Sequence, residues 1–333
     1  MRTHPAPIVI AAAALLASLL PPAAAADITL ISSFNPSNNG TMCGAATSHL
    51  TADIYAYDCF GSAIQHYSRT GAFINSFSIT AFGTANDVDV EIAPADLTMG
   101  GTFVPEGSVL FINGESGAAE IYALHPSTGA LIATLNTAFG TSHVVGGAYH
   151  TSRGTFFLVQ DGVPGGAAGN LVAEINPTTG AVINSFNVNP PFGVDFGDLD
   201  VSNVSGNLYL VSSDELNVGE FTPTGTFVLE HPLPGGVNGL RGIGIDDRRS
   251  TAWVAGSSVL FRLGGFPGPC LADYNGVDEE GDILDFLDFF DDFGACENQP
   301  APCGSFGDPD VNTDGLVDIL DFLDFLDAFG IGC

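Results

Sequence analysis

The chain has 333 residues, 45% of them hydrophobic, and a formal net charge of −31 from 38 acidic residues against seven arginines and no lysine. So acidic a chain excludes nucleic acid as a partner, because phosphate backbones are held by basic surfaces. Six cysteines point to disulfides in an oxidising compartment; zinc is the competing reading, but no Cys-x2-Cys or histidine pair at ligand spacing supports it.

Met1 and Arg2 precede an apolar run from Ile8 to Leu20, then Pro21, Pro22 and the small residues Ala23 to Ala26. That order reads as a secretory signal over residues 1–26, cleaved before Asp27. The run is short for a membrane span, no later run is long enough, and no cysteine follows it to carry a lipid. The expected product is secreted, extracellular or on the cell surface, without a membrane span.

Residues 27–266 carry a drifting repeat whose marker is a strand, a Thr-Gly turn and a second strand. Its glycines are Gly71, Gly129, Gly180 and Gly225, spaced 58, 51 and 45 residues apart. This is the scale of a propeller blade of four short strands. Glycine supplies the positive φ of the turn, and a proline before it pre-sets the chain. Second strands are predicted at 109–112, 155–159, 207–211 and 252–255, and inner strands at 88–92, 144–150, 197–201 and 242–246. Residues 43–50 and 54–57 begin the first blade. The last blade has its third strand at 259–263 and lacks an outer one. Residues 28–34 resemble the outer strands 73–77 and 182–186, so an N-terminal strand is expected to complete the last blade and close the ring. A two-sheet sandwich is the alternative, but it leaves the Thr-Gly register unexplained. Cys43 and Cys59 fall opposite each other on the first two strands of blade one, where a bridge is reasonable.

The inner strands and their flanks hold Asp87, Asp89, Glu91, Asp195, Asp198, Asp200, Asp246 and Asp247, with His143, His150 and Arg241 nearby. Carboxylates converging on an axis can bind a cation or act as an acid–base pair. The plainer reading is that they are polar residues facing a solvated channel. No nucleophile elbow or phosphate loop appears, and the Gly-rich stretch after Gly162 lacks lysine and reads as a loop. Trp253 reads as core. Tyr55, Tyr57 and Tyr67 read as strand aromatics, with a carbohydrate platform as the alternative.

Gly264 to Pro269 interrupt the strand pattern, and 267–269 read as a linker. From Cys270 to Cys333 there are seventeen acids and no Lys or Arg, a density that favours cation binding. Residues 310–321 place Asp310, Asn312, Asp314, Asp318 and Asp321 at positions 1, 3, 5, 9 and 12 of a calcium loop. Gly315 stands at position 6 and the Leu316 carbonyl at position 7. An earlier loop offers Asp273, Asn275, Asp278, Asp282 and Asp285, with one extra residue and no glycine at position 6. An acidic, solvated tail is the alternative, but it does not repeat two Phe/Leu-rich segments in register. Aspartate recurs every third residue from Asp282 to Asp291 and from Asp318 to Asp327, giving two helices with apolar surface wider than one packing stripe. Each half begins and ends in cysteine, so two symmetric pairings follow: Cys270–Cys333 with Cys296–Cys303, or Cys270–Cys296 with Cys303–Cys333.

These loops, each followed by a single helix and the second ending in Gly-Cys, resemble the dockerin module of secreted bacterial proteins, in the variant found at planctomycete C-termini. The resemblance implies Ca2+ as cofactor, a cohesin-like or envelope partner, and receptor contacts through Ile283, Leu284, Ile319 and Leu320. It also implies adjacent termini, which favours Cys270–Cys333 with Cys296–Cys303. The expected protein is all-β over residues 27–266, a five-bladed β-propeller closed by an N-terminal outer strand, with a small α-helical dockerin-like domain at 270–333. Its expected role is non-catalytic binding. A polysaccharide-active hydrolase with the tail as anchor is the alternative, favoured by three carboxylates within reach of one another in a closed-off axial cleft. An open, smooth channel favours the binder.

Overall fold

In the computed structural model, the described residues are 28–37, 40–83, 87–115, 117–141, 143–162, 169–267, 289, 290, 292–294, 296, 309–311, 317–319, 321, 322 and 325. The first strand, β1 (Thr29–Phe34), is followed by blade one: β2 (Met42–Thr47), β3 (Ile54–Asp58), β4 (Ala63–Tyr67) and β5 (Phe73–Ser78). Blade two comprises β6 (Val88–Ile92), a small inserted hairpin β7 (Leu97–Met99) and β8 (Thr102–Val104), then β9 (Val109–Asn113), β10 (Glu120–Leu124) and β11 (Leu131–Asn136). Blade three is β12 (Val144–His150), β13 (Thr155–Gln160), β14 (Leu171–Ile175) and β15 (Val182–Asn187). Blade four is β16 (Asp198–Val201), β17 (Leu208–Val211), β18 (Asn217–Phe221) and β19 (Phe227–Pro232), and blade five is β20 (Gly242–Asp246), β21 (Thr251–Ala255) and β22 (Leu260–Gly264).

Each blade is a four-stranded antiparallel sheet, and the fifth has the order β1-β22-β21-β20. The N-terminal strand thus completes the last blade, pairing from Thr29↔Gly264 to Phe34↔Leu260. The inner strands β2, β6, β12, β16 and β20 touch in sequence around a closed ring, β20 returning to β2. The sandwich alternative is thereby excluded. The inserted hairpin was not foreseen. It accounts for the long 58-residue spacing, and its signal is the Gly100-Gly101 turn between apolar residues.

The Thr-Gly glycines do two things at once. Gly71, Gly129, Gly180 and Gly225 have φ of +83°, +67°, +70° and +86°. Each also lies against the outer strand of the preceding blade: Gly71 on Phe34, Gly129 on Phe77, Gly180 on the Asn136 backbone and Gly225 on Phe186. Phe34 therefore occupies in blade five the place that Phe77 and Phe186 occupy in blades one and three. The core lies between blades, built from the inner and middle strands, and Trp253 is buried in it.

Cys43 and Cys59 form a disulfide with Cα atoms 5.0 Å apart, across the bulge between Met42 and Gly44. Closing a loop of this length contributes on the order of 3 kcal/mol through the unfolded chain. The Cys43→Ala/Cys59→Ala double variant is expected to lose about that much stability in urea melts. A loss below about 1 kcal/mol would mean the bridge adds little to the ladder beside it.

Candidate functional site

Successive side chains of a strand alternate between faces, so Asp89 and Glu91 of β6 share one face, as do Asp198 and Asp200 of β16. All four carboxylates are buried on the axial side. The blades between them supply small residues instead. Gly44 of β2 and Gly146 of β12 leave room for Asp89 and Asp198, and a Cβ on Gly44 would stand 2.7 Å from Asp89 Oδ1. Gly242 and Gly244 of β20 let that strand lie against the backbone of β2.

These carboxylates accept hydrogen bonds from main-chain N–H groups. Asp198 Oδ2 accepts from Ile243 N at 2.8 Å and Oδ1 from Leu199 N at 2.6 Å. Asp200 accepts from Ile245 and Val201, and Asp89 Oδ2 from Gly147 N at 3.4 Å. They therefore tie neighbouring inner strands together. Asp89 Oδ1 and Glu91 Oε1 are left without a hydrogen-bond partner. Ligand atoms of Asp89, Glu91 and Asp198 lie within 4.8 Å of one another and can hold a metal ion. Burial raises Asp89, Glu91 and Asp198 well above the usual carboxylate range, reinforced by the charge of Asp198 on Asp89 and of Asp200 on Glu91 and Asp198, and pushes Asp200 up to about 7.

At the mouth where the inner strands begin, Asp87 precedes β6, His143 precedes β12, and Asp161 follows β13. His143 Nδ1 is 2.9 Å from Asp87 Oδ2 and 3.8 Å from Asp161 Oδ1, yet it makes no hydrogen bond. Asp87 is 3% exposed and Asp161 2%. Burial pushes Asp87 up to about 6, opposed by His143 and assisted by Glu115 and Asp161. Arg241 lies over the Phe196 ring at 5.2 Å beside this cluster. Asp195 carries a raised pKa from burial and from Asp214. Asp161 escaped the sequence reading. Its signal is positional: a polar residue follows the second strand of its blade, as Asn113 ends β9.

At the opposite mouth the strand ends enclose a cleft of about 220 Å³, lined by His49, Glu91, Tyr149, Asn203, Asp200, Asp247 and Arg248, among others. Burial pushes Asp247 up to about 6, though it accepts from Ser202 Oγ at 2.8 Å. His49 Nε2 is 2.8 Å from Glu106. Asp246 and Arg249 are paired at 2.6 Å, and His150 is buried with its Nε2 against the Gly206 carbonyl at 3.2 Å. The axial carboxylates are thus within reach of one another, but Asp89 and Asp198 are sealed, and only Glu91 and Asp200 reach this cleft. Tyr55, Tyr57 and Tyr67 are buried, so they belong to the core and form no platform.

In the C-terminal segment Asp310 and Asp321 are buried, and Asp321 Oδ2 accepts the Asp318 N–H at 2.8 Å. Ile319 is 60% exposed. Phe289 and Phe325 stack with centroids 3.9 Å apart, and Cys296 is buried and disulfide-bonded. The remaining expected ligands and contacts (Asp273, Asn275, Asp278, Asp282, Asp285, Asn312, Asp314, Leu316, Ile283, Leu284, Leu320) lie outside the described residues, as do Cys270, Cys303 and Cys333.

Fold and axis together define a five-bladed β-propeller, closed by its own N-terminus and lined with acids. Its solved likenesses include a glutaminyl cyclase from Myxococcus xanthus, with a TM-score of 0.50 and 15% identity over 72% of this chain and 96% of that one. A gluconolactonase from Xanthomonas campestris gives 0.43 and 16% over 73% and 97%. A Bacteroides caccae protein of unknown function gives 0.41 and 11% over 64% and 69%. At such identities the likeness is one of fold. No protein-family model and no curated protein matches the chain. Among the described residues, no helix is long and apolar enough to cross a membrane.

Proposed function

We propose that this chain is a secreted, non-catalytic binding propeller, carried on a calcium-dependent C-terminal module that docks to a cohesin-type or cell-surface protein. The observation that carries the docking part is the burial of Asp310 and Asp321, the first and last positions of the calcium loop, in a segment without a single basic residue. Burying carboxylates is costly, and a bound cation offsets that cost. Asp321 also braces the end of the loop through Asp318. Exposed Ile319 is the side chain a receptor would meet. The binding part rests on the axial carboxylates, whose hydrogen bonds join inner strands.

Calcium should stabilise the folded module by mass action, about 2.7 kcal/mol at a hundredfold excess over Kd. The full chain is expected to retain an envelope protein on affinity resin in CaCl2 and release it in chelator. Asp310→Ala should abolish retention, while Asp273→Ala should weaken it less, because the first loop is irregular. Retention unaffected by chelator, or Asp273→Ala proving the more damaging change, overturns the reading.

A second reading, polysaccharide hydrolysis, draws on the cleft where Glu91, Asp200 and Asp247 meet, all with raised pKa values. Carboxyls whose pKa is raised by burial, beside a cleft, suit general-acid chemistry. It predicts release of reducing ends by the wild type and loss of that release in Glu91→Gln. No release from a panel of polysaccharides leaves the binding reading standing alone.

A further inference from the structure

We propose that Asp87, His143 and Asp161 form a binding site for one divalent transition-metal ion, of which Zn2+ is the best fit, at the propeller mouth where the inner strands begin. Three observations converge. First, each residue offers a ligand atom, and these atoms lie within 4.8 Å of one another. Secondly, one atom of each donor group makes no hydrogen bond. Asp87 Oδ1, Asp161 Oδ1 and His143 Nδ1 have no hydrogen-bond partner, although Asp87 and Asp161 are 3% and 2% exposed. Buried carboxylate oxygens are nearly always satisfied, so an orphaned oxygen on each of two carboxylates beside one imidazole marks a missing ligand. Asp161 is held in place by its other oxygen, which accepts the Phe196 N–H at 3.4 Å.

Thirdly, the spacing suits a small ion. Donors about 2.05 Å from a tetrahedral centre stand about 3.3 Å apart. The 2.9 and 3.8 Å separations from His143 Nδ1 to Asp87 Oδ2 and Asp161 Oδ1 bracket that value.

The donor set fixes the class of ion. An imidazole nitrogen with two carboxylates suits zinc and its first-row neighbours, whereas calcium takes a larger shell of oxygens. The site is therefore chemically distinct from the all-oxygen loop at Asp310. The His143 side chain is 33% exposed, which leaves the ion's outer side open to water or a ligand and makes it exchangeable. His143 is also held at φ +59°, a left-handed conformation that asparagine tolerates well. Asparagine is thus the substitution least disruptive to the loop.

The test titrates ZnCl2 into the full chain by calorimetry, with CaCl2 in excess to occupy oxygen-only sites. One zinc per chain is expected. His143→Asn and Asp161→Asn should each weaken it by more than about tenfold and leave calcium binding unchanged. Zinc should also raise the melting temperature of the wild type and not of the variants. A wild type that takes up no zinc under calcium, or variants that keep wild-type affinity, overturn the proposal. Should a variant fail to fold, the wild type decides alone through histidine modification by diethylpyrocarbonate, mapped by mass. Zinc should protect His143, and protection confined to other histidines overturns the site.

Discussion

Removing residues 28–34 should lower the melting temperature of the propeller far more than ending the chain after Pro267. The effect does not come from burying the strand, since Leu30 and Ile31 are 43% and 50% exposed. It comes from the backbone ladder with β22 and from Phe34. Each ladder hydrogen bond is worth roughly 1 kcal/mol net, and truncating a packed phenylalanine costs on the order of 3 kcal/mol. Phe34 meets Trp253 of blade five edge-on at 5.4 Å and Tyr67 of blade one at 5.2 Å. It therefore joins the last blade to the first, and its loss opens the ring as well as shortening a sheet. The combined loss, on the order of 5 kcal/mol or more, is comparable with the whole stability of many domains. Phe34→Ala alone should account for about half of it. Circular dichroism melts of the two shortened chains provide the comparison, and equal melting temperatures would refute closure by the N-terminal strand.

Stability in chelator should fall as pH rises from about 4 to 8, the reverse of ordinary acid denaturation. Asp200 is raised to about 7, and Asp87 and Asp247 to about 6, by burial. Asp89, Glu91 and Asp198 move in the same direction. A carboxyl whose folded pKa is raised binds more protons folded than unfolded. Its stabilising share is present below the unfolded pKa of about 4 and is lost as pH climbs through the folded value. Asp200 alone contributes on the order of 4 kcal/mol across that window. Two effects oppose the trend. Glu174 and Glu220 are lowered, Glu174 by Arg153 and Thr155 and Glu220 chiefly by His231, but their share is lost only below about pH 4.5. His150 is lowered by burial and works against the trend as a single group. A divalent cation supplies the charge that the protons supplied, so adding CaCl2 or ZnCl2 should flatten the profile at pH 8. Urea midpoints at pH 4.5 and 8, with chelator and with cation, test both parts. A midpoint that rises with pH in chelator contradicts the argument.

The repeat was legible because one glycine must meet two demands in every blade. A positive φ and a close approach to the preceding outer strand both exclude a side chain, so Gly71, Gly129, Gly180 and Gly225 persist while their surroundings drift. The likeness of residues 28–34 to later outer strands revealed the closure for the same reason, since Phe34 fills the place of Phe77 and Phe186. Strand alternation alone put Asp89 with Glu91 and Asp198 with Asp200 on shared faces. What those faces meet was settled by the ring. Only the closure of five inner strands sets Gly44 and Gly146 beside the acids and turns their carboxylates toward main-chain N–H groups of neighbouring blades. Asp87 and His143 stood out as flanks of inner strands, but their grouping with Asp161 was not legible, because the three come from two inter-blade connections and the end of a second strand. No spacing along the chain encodes a contact made across blades, and the packing of blade three against blade two brought those three donors together.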